Sequence, residues 1–467
     1  MMMLNPLSAA APTIPQQASP YYPASRRFFN PLWLNIEWIS GATAEKVPHL
    51  EELARAGKAL NRDRFIHRDT VFKLKMDALE TLWREFSGDK EFDRYCGEHA
   101  GDLDLFATFC TLAEQYRCGW HEWPEEYRHP NSGSVAEFAR ENRRRVQFHK
   151  WLQWLLDLQL QRCSKEIALV QDLPIGVDPD GADAWAWQDV FAKKISVGAP
   201  PDRFNTQGQN WGLPPFLPHK LRAVGYEPFI QTIRAAFRHC GGLRIDHVMG
   251  LFRLFWIPTG AAATEGAYVR YDSHEMLAIL ALESQRAGAY VVGEDLGTVE
   301  EEAHKKLAQY GLLSYRLLWF EKDPPSDYPC NTLAAVTTHD LPTVAGLWSG
   351  SDLKRQRELH LNPNEESTAE IRDRLISMAQ LSPQAAAADA IIGAYRLLAG
   401  APSRIVTAAL EDAAGVEERP NMPATMEDQN PNWSLALPKP IEDLMSSELP
   451  MQIASALRRN ASSTQRA

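Results

Sequence analysis

Three acidic residues carry the pattern most able to do chemistry. Asp246 ends the short apolar run Leu243-Arg244-Ile245, Glu294 ends Val291-Val292-Gly293, and Asp340 follows Thr337-Thr338-His339. Forty-eight residues separate the first two and forty-six the next two, room in each case for a strand, a helix and their loops. Cleaving a glycosidic bond with retention needs two carboxyls about 5–5.5 Å apart, one as nucleophile and one as acid/base. Asp246 suits the first role because Arg244, two residues earlier on the same strand face, favours its ionised form. Glu294 suits the second because its apolar approach favours the protonated form. Asp340, beside His339, could bind hydroxyls and stabilise an oxocarbenium-like transition state.

Each residue also has a plainer reading. Arg-x-Asp is the pattern of a structural ion pair, and Glu294-Asp295 ahead of a helix could simply cap it. His339-Asp340 could anchor a turn. Asp and His at strand ends could also hold a metal, but the His-x-His pair expected of metal-dependent barrel hydrolases does not occur. Three acidic tips in succession favour chemistry over any of these. A further polar stretch, Val197 to Pro215, contains four prolines and reads as a binding loop. In it Phe204 and Trp211 could stack on sugar rings while Asp202, Gln207 and Gln209 bond hydroxyls. Near the start, prolines around Tyr21 and Tyr22 fix a turn that presents a tyrosine.

The elements that must position these residues alternate. After Glu166, strands are expected at Ile167–Val170, Leu243–Ile245, Tyr290–Val292, Tyr315–Trp319, Leu333–Val336 and Arg404–Leu410, the last leading to Glu411-Asp412. Helices lie between them at Glu227 to His239, at His274 to Arg286, and after Thr298, where Thr298-x-x-Glu301 reads as a capping box. Such repeats argue for parallel strands, and acidic residues at strand C-terminal ends are where a (β/α)₈ barrel keeps its chemistry. No G-x-G-x-x-G and no phosphate-cradling loop suggests an open nucleotide-binding sheet instead.

From about Thr43 to Leu169 the pattern is helical. Phe72, Met76, Leu79, Trp83 and Phe86 share one face of a helix, and a second long helix is expected from Val135 to Arg162 with Arg143-Arg144-Arg145 towards solvent. The expected division is therefore a catalytic (β/α)₈ barrel from residues 1–42 and 166–467 and a helical insertion at 43–165. Residues Met1 to Ser19, poor in charge, read as a floppy leader.

Composition excludes several classes. A formal charge of −11 argues against a general nucleic-acid binder. Glycine and proline together are 58 of 467 residues, an ordinary share. Fourteen tryptophans suit flat, weakly polar ligands such as sugars. Six cysteines without C-x-x-C spacing read as free thiols in a cytoplasmic protein, and neither a signal peptide nor a run of about 18–20 apolar residues is present.

The motifs together resemble the 4-α-glucanotransferases of glycoside hydrolase family 77, also called amylomaltases or disproportionating enzymes. The resemblance rests on Ser19-Pro20-Tyr21 with Ser25-Arg26-Arg27, Asp172-Leu173-Pro174, Pro200-Pro201-Asp202 to Gly212, Leu243 to His247, Val292 to Gly297, Thr338 to Thr343, and Glu418-Arg419-Pro420-Asn421 with Asn432-Trp433. It implies that Asp246 is the nucleophile, Glu294 the acid/base and Asp340 the stabiliser. Tyr21, Arg244 and His339 would line the subsite at the cleavage point, with Asn421 also binding substrate. Asp202, Phe204, Gln209 and Trp211 would lie in a mobile loop over it. Maltooligosaccharides, starch or glycogen-derived glucans, and glucose as acceptor, are the implied partners, with no cofactor, metal, nucleic acid or membrane. In similar proteins a run like Leu4-Asn5-Pro6-Leu7 ends the first barrel strand, which here would be incomplete. An incomplete strand would make the chain a non-catalytic or inactive glucan-binding fragment, and a hydrolase of α-1,4-glucans is the other alternative.

Overall fold

The computed structural model describes residues 1–42, 49–201, 208–297, 299 and 301–458. Among these, one compact unit comprises 1–63, 67–201 and 208–291, and a second comprises 64–66 and 292–458.

The first unit carries a sheet with parallel pairings and two antiparallel sheets. The strands are β1 (Met2–Met3), β2 (Ser8–Ala9), β3 (Ser25–Phe29), β4 (Leu169–Leu173), β5 (Ile195–Ala199), β6 (Gln209–Leu213), β7 (Gly242–Ile245), β8 (Arg253–Pro258), β9 (Ala267–Arg270) and β10 (Tyr290–Gly293). One sheet runs β1-β4-β7-β10. Every residue of β4 and β7 is buried, the polar Gln171, Asp172 and Arg244 among their apolar neighbours. β10 carries the chain from this unit into the next. The expected leader is ordered structure instead. Met2 and Met3 pair with Leu169 and Val170, β2 pairs antiparallel with β3, and Gln16 is buried with its amide donating to the Ala11 and Thr13 carbonyls.

Helices at 49–60, 68–85, 90–98, 102–116, 133–141 and 143–166 fill the expected helical stretch. Phe72, Met76 and Leu79 face inward as their spacing requires. Phe86 lies just past the helix end, in extended backbone, and stacks on Trp83 at 5.3 Å. The single helix expected over 135–162 is two, broken at Asn142, whose side-chain amide donates back to the Phe138 carbonyl at 3.0 Å. Arg143 and Arg144 are exposed, but Arg145 is not a solvated charge. It forks onto Glu114, reaches Glu80 at 2.8 Å and lies 4.5 Å over the Phe148 ring.

A second sheet of this unit, β6-β5-β8-β9, is antiparallel. The stretch expected as one long loop therefore holds two strands, β5 and β6, flanking residues outside the described set. They pair closely because position 198 is glycine; a Cβ there would sit 2.0 Å from the Gln209 carbonyl.

In the second unit, β11 (Ser314–Leu317), β12 (Thr332–Ala335) and β13 (Ile405–Val406) form a parallel sheet in that order. Val292 bridges Leu313 in parallel, and the Gly293 N–H donates to the Leu313 carbonyl at 2.8 Å. Its core packs Trp348, Leu375, Ile391, Tyr395, Leu398 and Ile453 from the helices. The strand expected to reach Leu410 stops at Val406, and Asp412 lies in a short helix, fully buried. The architecture is α/β, and the pairings among described residues do not trace a ring of eight. None of the described helices is long and apolar enough to cross a membrane.

Candidate active site

In the first unit the site grows from the ends of two neighbouring strands. The parallel register sets Asp172 of β4 opposite Arg244 of β7, with Leu173 opposite Ile245. Period-two alternation puts Asp172 and Arg244 on one face. Both are buried, at 7% and 5% exposure, so each must have a partner. Arg244 Nη1 donates to the two Asp172 oxygens at 2.7 and 2.8 Å. Nη1 and Nη2 also lie 3.4 Å from Asp246 Oδ1. The Asp246 backbone N–H is fixed on the Leu173 carbonyl at 3.0 Å, so the carboxylate starts where β7 ends.

Tyr21 closes this group from the N-terminal turn, its hydroxyl donating to Asp172 Oδ2 at 2.6 Å. Burial, then the adjacent Asp172, pushes the phenol well above its ordinary value and keeps it a donor. Arg26 braces the turn after β4 by donating to the Pro174 and Ile175 carbonyls, while Arg27 pairs with Asp183 at 3.0 Å. The family-like Ser25-Arg26-Arg27 run is thus a scaffold. Trp211 Nε1 donates to Gln209 Oε1 at 3.0 Å, and its ring meets His247 edge-on at 5.4 Å. Burial lowers the His247 imidazole, favouring its neutral form. Asp202 and Phe204, like Gln207, lie outside the described residues.

In the second unit, Glu294 leaves the end of β10 and its Oε1 accepts the Leu296 N–H at 2.7 Å. Its neighbour Asp295 is structural: buried, it accepts the Tyr315 N–H at 2.8 Å and lies 2.9 Å from His304 Nδ1. Asp340 is held from three sides. Asn421 Nδ2 donates to its Oδ1 at 2.7 Å, His339 Nε2 lies 3.4 Å from Oδ2, and Arg419 Nη1 donates to its carbonyl at 2.7 Å. The Asn421 N–H in turn donates to the His339 carbonyl at 3.1 Å, and the Trp433 ring lies 5.0 Å from the imidazole. Arg419 is anchored by Asp352, buried itself.

The structure therefore gathers Tyr21, Arg244 and Asp246, with Gln209 and Trp211 paired to each other. It separately gathers His339, Asp340 and Asn421. Two participants were given no role by the sequence, Asp172 and Arg419. Both sit inside motifs that were visible, Asp172-Leu173-Pro174 and Glu418-Arg419-Pro420-Asn421, but nothing in a sequence says which neighbour a buried charge meets.

Carboxylates gathered at the C-terminal ends of buried parallel strands are the arrangement of an α/β enzyme. The fold agrees: the chain superposes on the crystal structure of amylomaltase from Corynebacterium glutamicum with a TM-score of 0.87 and 32% identity, covering 98% of this chain and 70% of that one. A family model described as 4-alpha-glucanotransferase matches residues 1–440. A curated 4-alpha-glucanotransferase of Mycobacterium tuberculosis is 40% identical over 98% of this chain and 69% of its own length, and that of Haemophilus influenzae is 32% identical over 95% and 71%. The chain belongs to the 4-alpha-glucanotransferase family, whose members act on α-1,4-glucans.

Proposed function

We propose that this enzyme transfers an α-1,4-glucan segment by retaining double displacement, with Asp246 as nucleophile, Glu294 as acid/base and Asp340 as stabiliser. Asp246 attacks the anomeric carbon while Glu294 protonates the departing 4-oxygen. Glu294 then takes the proton of an acceptor 4-hydroxyl, which displaces Asp246 and restores the α configuration. The observation that carries this reading is Arg244, held by Asp172 and turned to Asp246, because it favours the ionised carboxylate that a nucleophile requires. Asn421 and His339 orient Asp340 towards sugar hydroxyls, and Tyr21, Asp202, Phe204, Gln209 and Trp211 complete the substrate contacts. Transfer requires an acceptor site that disfavours water, and the Trp211 ring beside His247 supports this.

Maltooligosaccharides and starch- or glycogen-derived glucans are the donors, and glucose or another glucan the acceptor. Incubation with maltotriose tests the reading: a ladder of longer chains plus glucose supports transfer, whereas shortening alone makes the enzyme a hydrolase. The alternation of helices with parallel strands supports a (β/α)₈ barrel carrying a helical insertion at 43–165. Six unpaired cysteines fit a reducing cytoplasm.

A further inference from the structure

The turn that gives Tyr21 to the Asp246 group carries a second tyrosine that the group does not use. The Tyr22 N–H donates to the Ser19 carbonyl at 3.3 Å, and the Asp178 N–H donates to the Pro23 carbonyl at 2.8 Å, which fixes the loop after β4 on this turn. The Tyr22 phenol faces Asp178 and Asp180 of that loop. Burial, then these two carboxylates, pushes it up to about 12. β6 reaches the same place: a Cβ at Gly212, next to Trp211, would lie 3.5 Å from the Tyr22 hydroxyl.

Among the described residues this hydroxyl makes no hydrogen bond. Asp180 has a partner in His121, whose Nδ1 lies 2.8 Å from Oδ1 and whose ring stacks on Trp120 at 3.6 Å. The Asp178 carboxylate, among the described residues, accepts one bond, from the Asp180 N–H to Oδ1 at 2.9 Å. Burial pushes this carboxyl up to about 6, so it is ionised at neutral pH. For stability alone the arrangement is poor, because two like charges share a loop beside a phenol left unbonded. It suits a ligand with neighbouring hydroxyls, one donating to Asp178 Oδ2 and another accepting from Tyr22.

We propose that Tyr22 and Asp178 bind a further glucosyl unit of the α-1,4-glucan chain, beyond the sugar at Asp246, and so make the enzyme favour chains long enough to reach them. This rests on the reading of the enzyme as a glucan transferase that cleaves at Asp246. Both side chains meet the glucan away from the reacting atoms, so they set chain-length specificity and not the chemical step.

The test compares wild type, Y22F, D178N and D246N on maltotriose and maltoheptaose, after circular dichroism has established which variants fold. D178N keeps an oxygen for the Asp180 N–H and Y22F keeps the ring, so both spare the scaffold. The ratio of kcat/KM for maltoheptaose to that for maltotriose should fall about fivefold in Y22F and about tenfold or more in D178N. Calorimetric titration of maltoheptaose into D246N should show Kd rising by similar factors when either substitution is added. Equal losses on both sugars, an unchanged ratio or an unchanged Kd in a folded variant overturns the proposal. Should one variant fail to fold, the other decides. Substantial activity in D246N, or shortening of both sugars without a ladder, refutes the functional reading. An inactive D246N and an intact ladder beside an unchanged ratio refute only the additional site.

Discussion

Asp412 tests how the second unit braces Asp340. Its carboxyl is fully buried, Oδ1 accepting the Val344 N–H at 2.8 Å and Oδ2 the Tyr395 hydroxyl at 2.7 Å. Val344 opens the helix Val344–Ser349, which begins where the turn carrying His339 and Asp340 ends. Burial pushes this carboxyl from its ordinary 3.8 up to about 6. Between those values the native state binds a proton that the unfolded chain does not. The associated stability is present below pH 3.8, declines as pH rises, and is gone above about 6. The full change is roughly 3 kcal/mol, of which about 2 kcal/mol falls between about pH 4.5 and 7. Asp412→Asn cannot titrate, and Asp178, another acid that burial pushes to about 6, is common to both proteins and cancels in their difference. Urea unfolding of wild type and D412N at several pH values is the assay. The wild-type advantage, taken in the transition that the substitution shifts, should shrink by about 2 kcal/mol from about pH 4.5 to 7. A difference flat with pH, or one that grows as pH rises, would refute the reasoning.

Other expectations follow from single contacts. Asn421→Ala removes a 2.7 Å bond to Asp340 and should lower kcat/KM on maltotriose by about 10- to 100-fold with little change in thermal midpoint. Trp211→Ala uncovers the His247 side of the site and should raise glucan hydrolysis relative to transfer, read as reducing ends released per chain extended. Gly242→Ala would put a Cβ 2.5 Å from the Tyr290 ring, forcing β7 and β10 apart at a cost of about 1–3 kcal/mol in urea unfolding. Burial works to raise Glu114, yet His149 and Arg145 pull it down to about 2, so Arg145→Ala should cost about 2 kcal/mol at neutral pH by the same assay.

What the sequence made legible follows from the range of its forces. Buried parallel strands announce themselves as apolar runs, so β7, β10, β11 and β12 lie within two residues of their expected places, and β4 ends three residues later than expected. The acidic tips were visible because Asp246 and Glu294 break those runs with charge. Features decided by distant contacts were not legible. Met2 and Met3 form a strand only because β4 lies beside them, and the Arg145 side chain faces a partner on another helix. The hairpin of β5 and β6 was hidden by prolines and polar residues that dominate the segment joining them. In contrast, β8 could have been found, since Leu254-Phe255-Trp256-Ile257 is an uninterrupted apolar run closed by Gly260. Asp172 reads as a motif residue until the register places it opposite Arg244. Asp412 looked like another acidic strand tip, but burial with Tyr395 makes it structural.

The most direct test of the central claim is to capture the glucosyl chain on the enzyme. Glu294→Gln lacks the acid/base that completes turnover, while a maltosyl fluoride needs no acid to leave, so the covalent intermediate should accumulate. Peptide mass spectrometry of that reaction should show a maltosyl adduct on Asp246, absent when Asp246 is also replaced by Asn. An adduct on another residue, or complete consumption of the fluoride by the double variant, would contradict the account.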